Sequence, residues 1–491
     1  MSATLAPVIS VRKGIAVSLV AGQASFAVAF VSTLFISRLL TPTEIGVYSV
    51  AYALLVIMHQ VRAFGITPYL VQEKDLTPQR LQSALGVLFI TCWGLGSVVI
   101  LASFPAAHFY QEPGVGEVMR LLSVNFFLAP FGGMGMSLLL RDMRLVANAA
   151  VELSGTLTLA VVSVALAWRG HGYMSLAWGS LSGVVVSTLV AAICEPRTVR
   201  TRPSLADTGP IVRFGLRSAS ADLIRSLRAN TAELVVGRTL GFDATAFLSR
   251  ANSVTSQFFW LIGPTIQRVA FPYYAREVRE GGSLKPPYLA TVAYLTGFAW
   301  PFFIVLAILA APVIRALFGD QWDSAVPVAQ ILCLAGVLWA PFWTCMNMAI
   351  AMGRPGIYLR YELIAFVATV IAVLAGSILG LQAVAWGLCA VALINCAYCV
   401  HAQRALAGVS LGDTAQASAK SLVLAMAAGA GALISEAVLP AAAAVPLRLV
   451  LGGGLAFVGW WSAIVVTNHP LKGEAARALG YVRRLGRSEG G

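Results

Sequence analysis

Five charged side chains, Arg217, Asp222, Arg225, Arg228 and Glu233, fall between Phe214 and Leu240 in a stretch of a length and setting that should cross a bilayer. At roughly 3 kcal/mol for a charge near mid-membrane, lipid exposure of several of them would outweigh their apolar neighbours. On a helix advancing about 100° per residue they share an arc of roughly 160°, while Leu216, Leu223, Leu227 and Leu234 stack on the opposite side. The stretch therefore predicts a helix with one polar face turned to water or protein. Asp222 and Arg225 can pair locally. Arg225 and Arg228, also three apart, repel unless an anion or another acid lies between them. Arginine offers a planar fork of donors that suits phosphate oxygens and keeps its charge when buried. Arg225, Arg228 and Arg217, with Arg250 some way into the next span, are thus the candidate groups for an anionic ligand. Snorkelling to headgroups is the plainer reading of Arg217 and Glu233 near the helix ends, and Arg250 has a structural alternative in a pair with Asp243. Asp222, Glu233 and Glu362 are the acids that could carry a coupling H+ or Na+. His59, Arg62 and Glu152 are weaker candidates, read as interfacial.

The elements that must position these residues are membrane helices. Of 491 residues, 58% are hydrophobic and 11% charged, with a mean hydropathy of +0.80, values that no water-soluble domain of this length carries on its surface. A bilayer core of about 30 Å takes roughly 20 helical residues. On that template, spans fall near 15 to 37, 45 to 63, 82 to 106, 119 to 140, 146 to 168 and 173 to 193, and after a basic linker near 212 to 237, 244 to 271, 289 to 314, 325 to 351, 358 to 379, 382 to 403, 419 to 438 and 446 to 467. The expectation is an all-α polytopic protein of 14 transmembrane helices: a six-helix lobe over 1 to 194, a cytoplasmic linker over 195 to 210, a second six-helix lobe over 211 to 404, and two extra helices with a basic tail over 405 to 491.

The net charge of +13 is spread over the loops rather than gathered in a patch, so it reads as a topology signal and not as a nucleic-acid surface. With both termini in the cytoplasm, 25 of the 34 lysines and arginines lie on the inner side, as basic residues do. Arg38, Arg120, Arg169, Arg238, Arg315 and Arg448 form the outer set. A shift of 200 residues aligns Ser18 with Ser218, Arg38 with Arg238 and Leu40 with Leu240, which predicts two related lobes. Repeated lobes about a shared site are the usual build of a transporter that alternates its access.

Several chemistries are excluded. Seven cysteines (Cys92, Cys194, Cys333, Cys345, Cys389, Cys396, Cys399) sit mostly in apolar stretches and read as small packing residues. The five histidines (His59, His108, His171, His401, His469) make no metal cluster or triad, no cofactor motif appears, and no glycine-rich phosphate loop opens a helix. No loop is long enough to hold a catalytic domain, which argues for transport and against an enzyme such as a glycan polymerase or ligase.

The segment Leu39-Leu40-Thr41-Pro42-Thr43-Glu44-Ile45-Gly46-Val47-Tyr48 resembles the first external turn of bacterial polysaccharide-export flippases, of the multidrug, oligosaccharidyl-lipid and polysaccharide exporter superfamily. The resemblance continues, in order, through Phe64-Gly65-Ile66, Leu70-Val71-Gln72, Leu140-Arg141-Asp142-Met143-Arg144-Leu145, Gly170-His171-Gly172-Tyr173-Met174-Ser175-Leu176, Gly237-Arg238-Thr239-Leu240-Gly241, Leu248-Ser249-Arg250-Ala251 and Phe271-Pro272. Ala246 and Leu248 depart from it, standing where the second turn often has Gly and Tyr. The resemblance implies two six-helix lobes, a cationic central cavity and, in this branch, two extra C-terminal helices. It further implies a flippase moving an undecaprenyl-pyrophosphate-linked oligosaccharide (exopolysaccharide, capsule or O-antigen repeat) across the inner membrane of a bacterium by alternating access, with membrane lipids and polysaccharide polymerase or export machinery as partners. The rival readings are a lipid II flippase or a multidrug exporter of the same superfamily. The arginine excess counts against an exporter of organic cations.

Overall fold

The computed structural model describes residues 8–63, 70, 73, 76–206, 208–440 and 443–473, and every regular element among them is helical. The chain divides by packing into two compact units, residues 1–246 and 247–491. In the first, α1 (Val8–Leu39), α2 (Pro42–Ala63), α3 (Pro78–Tyr110), α4 (Pro113–Arg141), α5 (Leu145–Trp168) and α6 (Met174–Cys194) are followed by one short turn, α7 (Arg197–Arg200), and by α8 (Gly209–Thr239). In this unit α1 lies on α5, α5 on α6, α3 on α4, and α2 on both α4 and α8. Helix α9 (Phe242–Arg279) has its first turn in the first unit and the rest in the second, which continues with α10 (Lys285–Ile308), α11 (Ala310–Phe318), α12 (Val326–Trp339), α13 (Cys345–Ala351), α14 (Pro355–Leu379), α15 (Leu381–Ala407), α16 (Leu411–Val438) and α17 (Val445–Thr467). Here α16 packs on α10 and α17, and α15 on α12 and α14.

Among the described residues, twelve stretches are long and apolar enough to cross a membrane: α1 to α6, α10, the segment Asp320–Ala351, and α14 to α17. The other two predicted spans correspond to α8 and α9, which at 31 and 38 residues have the length but are too polar to join that set. Each of the fourteen expected stretches is helical, with two departures from continuity. Helix α10 stops at Ile308 and α11 begins at Ala310, because Pro312 lacks the N–H that would bond the Ile308 carbonyl. Between α12 and α13 a 3-10 turn over Ala340–Phe342 carries Pro341. The carbonyl four residues earlier, Val337, accepts instead from the Trp300 indole at 2.9 Å. Within α10, Pro301 likewise frees the Gly297 carbonyl, which takes the Trp460 indole N–H at 2.9 Å. Pro341 and Pro301 thus each turn a lost helix bond into a tie between neighbouring helices.

The segment from Leu140 to Leu145 is a fastening of the first unit. Arg141 donates to the carbonyls of Leu70 and, at 2.7 Å, Glu73. Asp142 pairs with Arg197, while the buried Glu195 accepts from Arg197 Nε at 2.5 Å and from Arg144 at 3.2 Å. The Arg197 guanidinium, and Arg144 behind it, hold the Glu195 carboxyl below its ordinary range despite burial. Glu195→Ala leaves two arginines without their shared acid. It should cost about 1–3 kcal/mol, seen as a lowered melting midpoint in detergent, with Glu195→Gln intermediate.

A second fastening closes α10, α16 and α17. Lys285 meets Asp413 at 2.8 Å. The buried His469 accepts the Leu471 N–H on Nδ1 at 3.2 Å, so its proton sits on Nε2, 3.1 Å from Ser421 Oγ. Burial, with Lys420 nearby, pushes the His469 pKa down from 6.5 to about 4. The unfolded chain therefore takes up a proton that the folded cluster refuses, and stability present above pH 6.5 drains as the pH falls toward 4. The melting midpoint of the protein should drop on acidification across this window, and His469→Gln should flatten that dependence.

Candidate functional site

The turn between α1 and α2 and the turn between α8 and α9 have the same spacing and touch. Helix α1 ends at Leu39 and α2 starts at Pro42, while α8 ends at Thr239 and α9 starts at Phe242, each 200 residues on. Thr41 and Glu44 cap α2 reciprocally, with the Thr41 N–H donating to Glu44 Oε2 at 2.8 Å and the Glu44 N–H to Thr41 Oγ1 at 3.3 Å. The Thr43 hydroxyl donates to Asp243 Oδ1 at 2.5 Å. Gly46 has no room for a side chain, since a Cβ there would lie 2.0 Å from the Phe242 carbonyl oxygen. A Cβ on Gly237 would lie 2.5 Å from Val50 Cγ2, and Tyr110 donates to the Leu234 carbonyl at 3.2 Å.

These contacts fix the register of α2 against α8, which run antiparallel. Counting equally along both helices from Val50 and Gly237, Arg62 comes level with Arg225, and His59 with Arg228. The level lies about 20 Å along α8 from its outer turn, at 1.5 Å per residue. Arg225 is exposed, and Arg228, Arg62 and Glu233 are half-buried. Ser226, Thr231, Val236 and Gly237 of α8 are buried, and Leu234 packs against the core of the first unit. His59 stacks on Phe126 of α4 at 4.5 Å, and the Arg62 guanidinium stands over the same ring at 5.9 Å. By this count three arginines and a histidine of the first unit come level on two neighbouring helices. The side chains of Arg217 and Asp222 lie outside the described residues.

The other candidates sit elsewhere. Arg250, in the second unit, stands over the buried rings of Phe318 and Trp322 at 5.5 and 5.4 Å, geometry that gives its stem a packing role and its charge a cation–π partner. The acid considered for it, Asp243, accepts from Thr43. Glu362 is buried within α14. Several arginines of the outer set are engaged locally: Arg120 over Phe104 at 5.4 Å, Arg238 over Phe109 at 5.3 Å, Arg315 bidentate to Asp323 at 2.8 Å, and Arg448 to Glu436 at 3.1 Å. Among the described residues no group of three or more His, Cys, Asp or Glu side chains is placed to hold a metal ion.

Sequence reading placed Arg62 at the interface, and only the register of α2 on α8 brings it level with Arg225. A signal was available in the spacing, since Arg62 lies 16 residues beyond Gly46, and Gly46 is part of the turn that the repeat pairs with the α8–α9 turn.

Comparison with known proteins bears on the whole arrangement. The chain is 24% identical to the lipopolysaccharide biosynthesis protein WzxC of Escherichia coli (strain K12), over 73% of this chain and 74% of that one. It is 24% identical to the succinoglycan biosynthesis transport protein ExoT of Rhizobium meliloti (strain 1021), over 77% of each. The lipid II flippase MurJ in an inward closed conformation shares its fold, with a TM-score of 0.74 at 11% identity over 92% of this chain and 99% of that one. A family described as polysaccharide biosynthesis protein matches residues 35–327, more than half of the sequence, and the chain belongs to that family.

Proposed function

We propose that this protein is a flippase that carries an anionic, lipid-linked oligosaccharide, an undecaprenyl-pyrophosphate-linked repeat unit, from the cytoplasmic to the periplasmic leaflet of a bacterial inner membrane. What supports the reading is that the register of α2 on α8 brings Arg62 level with Arg225 and Arg228 in a multi-pass protein. A pyrophosphate presents several oxygens to match such forks of donors, and the isoprenoid tail stays in lipid while the headgroup occupies the wet face. In this reading α8 and α9 also span the bilayer, giving fourteen crossings with both termini inside. Their charges are tolerated because they face the translocation path rather than lipid. Arg217 is assigned to the cytoplasmic entry, and Arg250 is assigned a substrate contact of its own.

Alternating access exposes the basic face to one side and then the other, and no covalent bond is made or broken. Glu233, Asp222 and Glu362 are the acids assigned to proton or sodium coupling. The names of the relatives, in lipopolysaccharide and succinoglycan biosynthesis, support a sugar polymer as the end product, with a polymerase or export machinery downstream.

Deletion of the gene, followed by extraction of carrier-linked glycans from right-side-out and inverted vesicles, tests this. Accumulation of a sugar-loaded isoprenoid pyrophosphate on the cytoplasmic face supports the proposal. Accumulation of lipid II in its place would redirect it to peptidoglycan, and an unchanged carrier pool would overturn it.

A further inference from the structure

We propose that the outer face of α3, together with the linker that follows α7, binds one molecule of an anionic glycerophospholipid, at a place separate from the Arg225 and Arg228 level. A groove of about 710 Å³ lies there, lined by Phe89, Ile90, Trp93, Gly94, Phe127 and Leu205 among others. The linker forms one wall and is held in place. The Ser204 N–H donates to the Gln82 carbonyl at 3.0 Å, and the Ser204 carbonyl rests on Gly86, where a Cβ would lie 2.0 Å from it. From Gly86 to Ser97 the groove follows α3 for about 17 Å at 1.5 Å per residue. That is close to one leaflet, half of a hydrocarbon core of about 30 Å. One acyl chain fits this length, whereas a long polyisoprenoid tail would overrun it.

The mouth of the groove supplies the charge. Arg200, the last residue of α7, and Arg202 are exposed just before Pro203, which lines the groove. Neither has an acidic partner among the described residues, in contrast to Arg197 beside them, which is held by Glu195 and Asp142. An acyl chain lying along Trp93 and Gly94 brings a lipid phosphate to the level of these two guanidiniums. A net negative headgroup is favoured there by charge, and a zwitterionic one is not. Gly94 faces open space, with no heavy atom within 4 Å of a Cβ built on it, so its lack of a side chain leaves room for the chain of a guest.

The test uses the full-length protein in detergent and native mass spectrometry, with phosphatidylglycerol and phosphatidylcholine as probes. One equivalent of phosphatidylglycerol should be retained in preference to phosphatidylcholine. Each arginine near an anionic lipid contributes about a fivefold factor in affinity, so Arg200→Ala with Arg202→Ala should weaken retention about 25-fold. Gly94→Leu should weaken it with the charges intact, and its melting midpoint should match that of the parent because the added side chain enters open space. Equal retention of the two phospholipids, full retention by the double arginine variant, or displacement of phosphatidylglycerol by equimolar undecaprenyl phosphate would each overturn the proposal. The readout is lipid retention and not polysaccharide export, so its failure leaves the flippase reading untouched.

Discussion

Replacing Arg225 and Arg228 together by alanine is expected to abolish surface polysaccharide while leaving the protein folded at normal abundance in the membrane. Hydrogen bonds to charged groups contribute about 1.5–3 kcal/mol each, so losing two arginines from a pyrophosphate should cost at least about 3 kcal/mol, a factor of 100 or more in productive binding. The fold should survive, because Arg225 is exposed and the residues that bury α8, Ser226, Thr231, Val236 and Gly237, are left unchanged. Lysine at both positions keeps the charge but loses the planar fork, so partial export is expected. Arg62→Ala should show a loss of the same kind, since Arg62 is level with Arg225. Export is measured by immunodetection of surface polymer, with protein abundance and melting midpoint in parallel. Normal polymer from a well-folded double variant would remove this basic level from the mechanism.

The second large effect is expected at Gly46. A methyl group there would already overlap the Phe242 carbonyl, with a Cβ only 2.0 Å from the oxygen and 2.5 Å from its carbon. Backbone cannot yield as the tip of a flexible side chain can, so Gly46→Leu must push the two turns apart and break the Thr43–Asp243 bond. Because the same contacts set the register of α2 on α8, the displacement reaches the Arg62 and Arg225 level as well. Export should fall at least tenfold, whereas Asp243→Asn, which keeps an acceptor for Thr43, should be mild. An estimate of about 1–3 kcal/mol for overpacking a close contact makes a loss of melting midpoint the accompanying sign. Wild-type export from Gly46→Leu would show that the approach of the turns is not required.

Much of the architecture was legible because lipid imposes a simple rule. Every expected span became helix, with ends set by residues that cannot continue inside a bilayer: Pro42, Pro78 and Pro113 at starts, Gly380 and Gly408 past ends. The breaks at Leu309 and at Ala340–Phe342 were not anticipated, because Pro312 and Pro341 sit in stretches whose hydropathy alone is continuous. The basic face of α8 was legible from its 3.6-residue period. Its alignment with Arg62 was not, since it depends on contacts made by residues nearly 200 positions apart. Arg250 shows the converse limit. Its charge attracts attention in the sequence, while the two rings beneath it, from Phe318 and Trp322, belong to a turn some 70 residues away.

Packing and the internal repeat also divide the chain differently. By packing, α8 lies with the first unit, whereas the 200-residue offset makes it the counterpart of α1.

The hydrogen bond from Thr43 to Asp243 joins a position to its own counterpart in the other copy of the turn. In a self-complementary pair of identical halves, such a position would face itself. Two threonines there could share one hydroxyl bond, and two aspartates would repel. An unequal donor and acceptor at that spot are available because the single polypeptide carries a different residue at each position. The clasp therefore depends on the two positions carrying different residues, and a symmetrised variant with the same residue at both places would have to do without it.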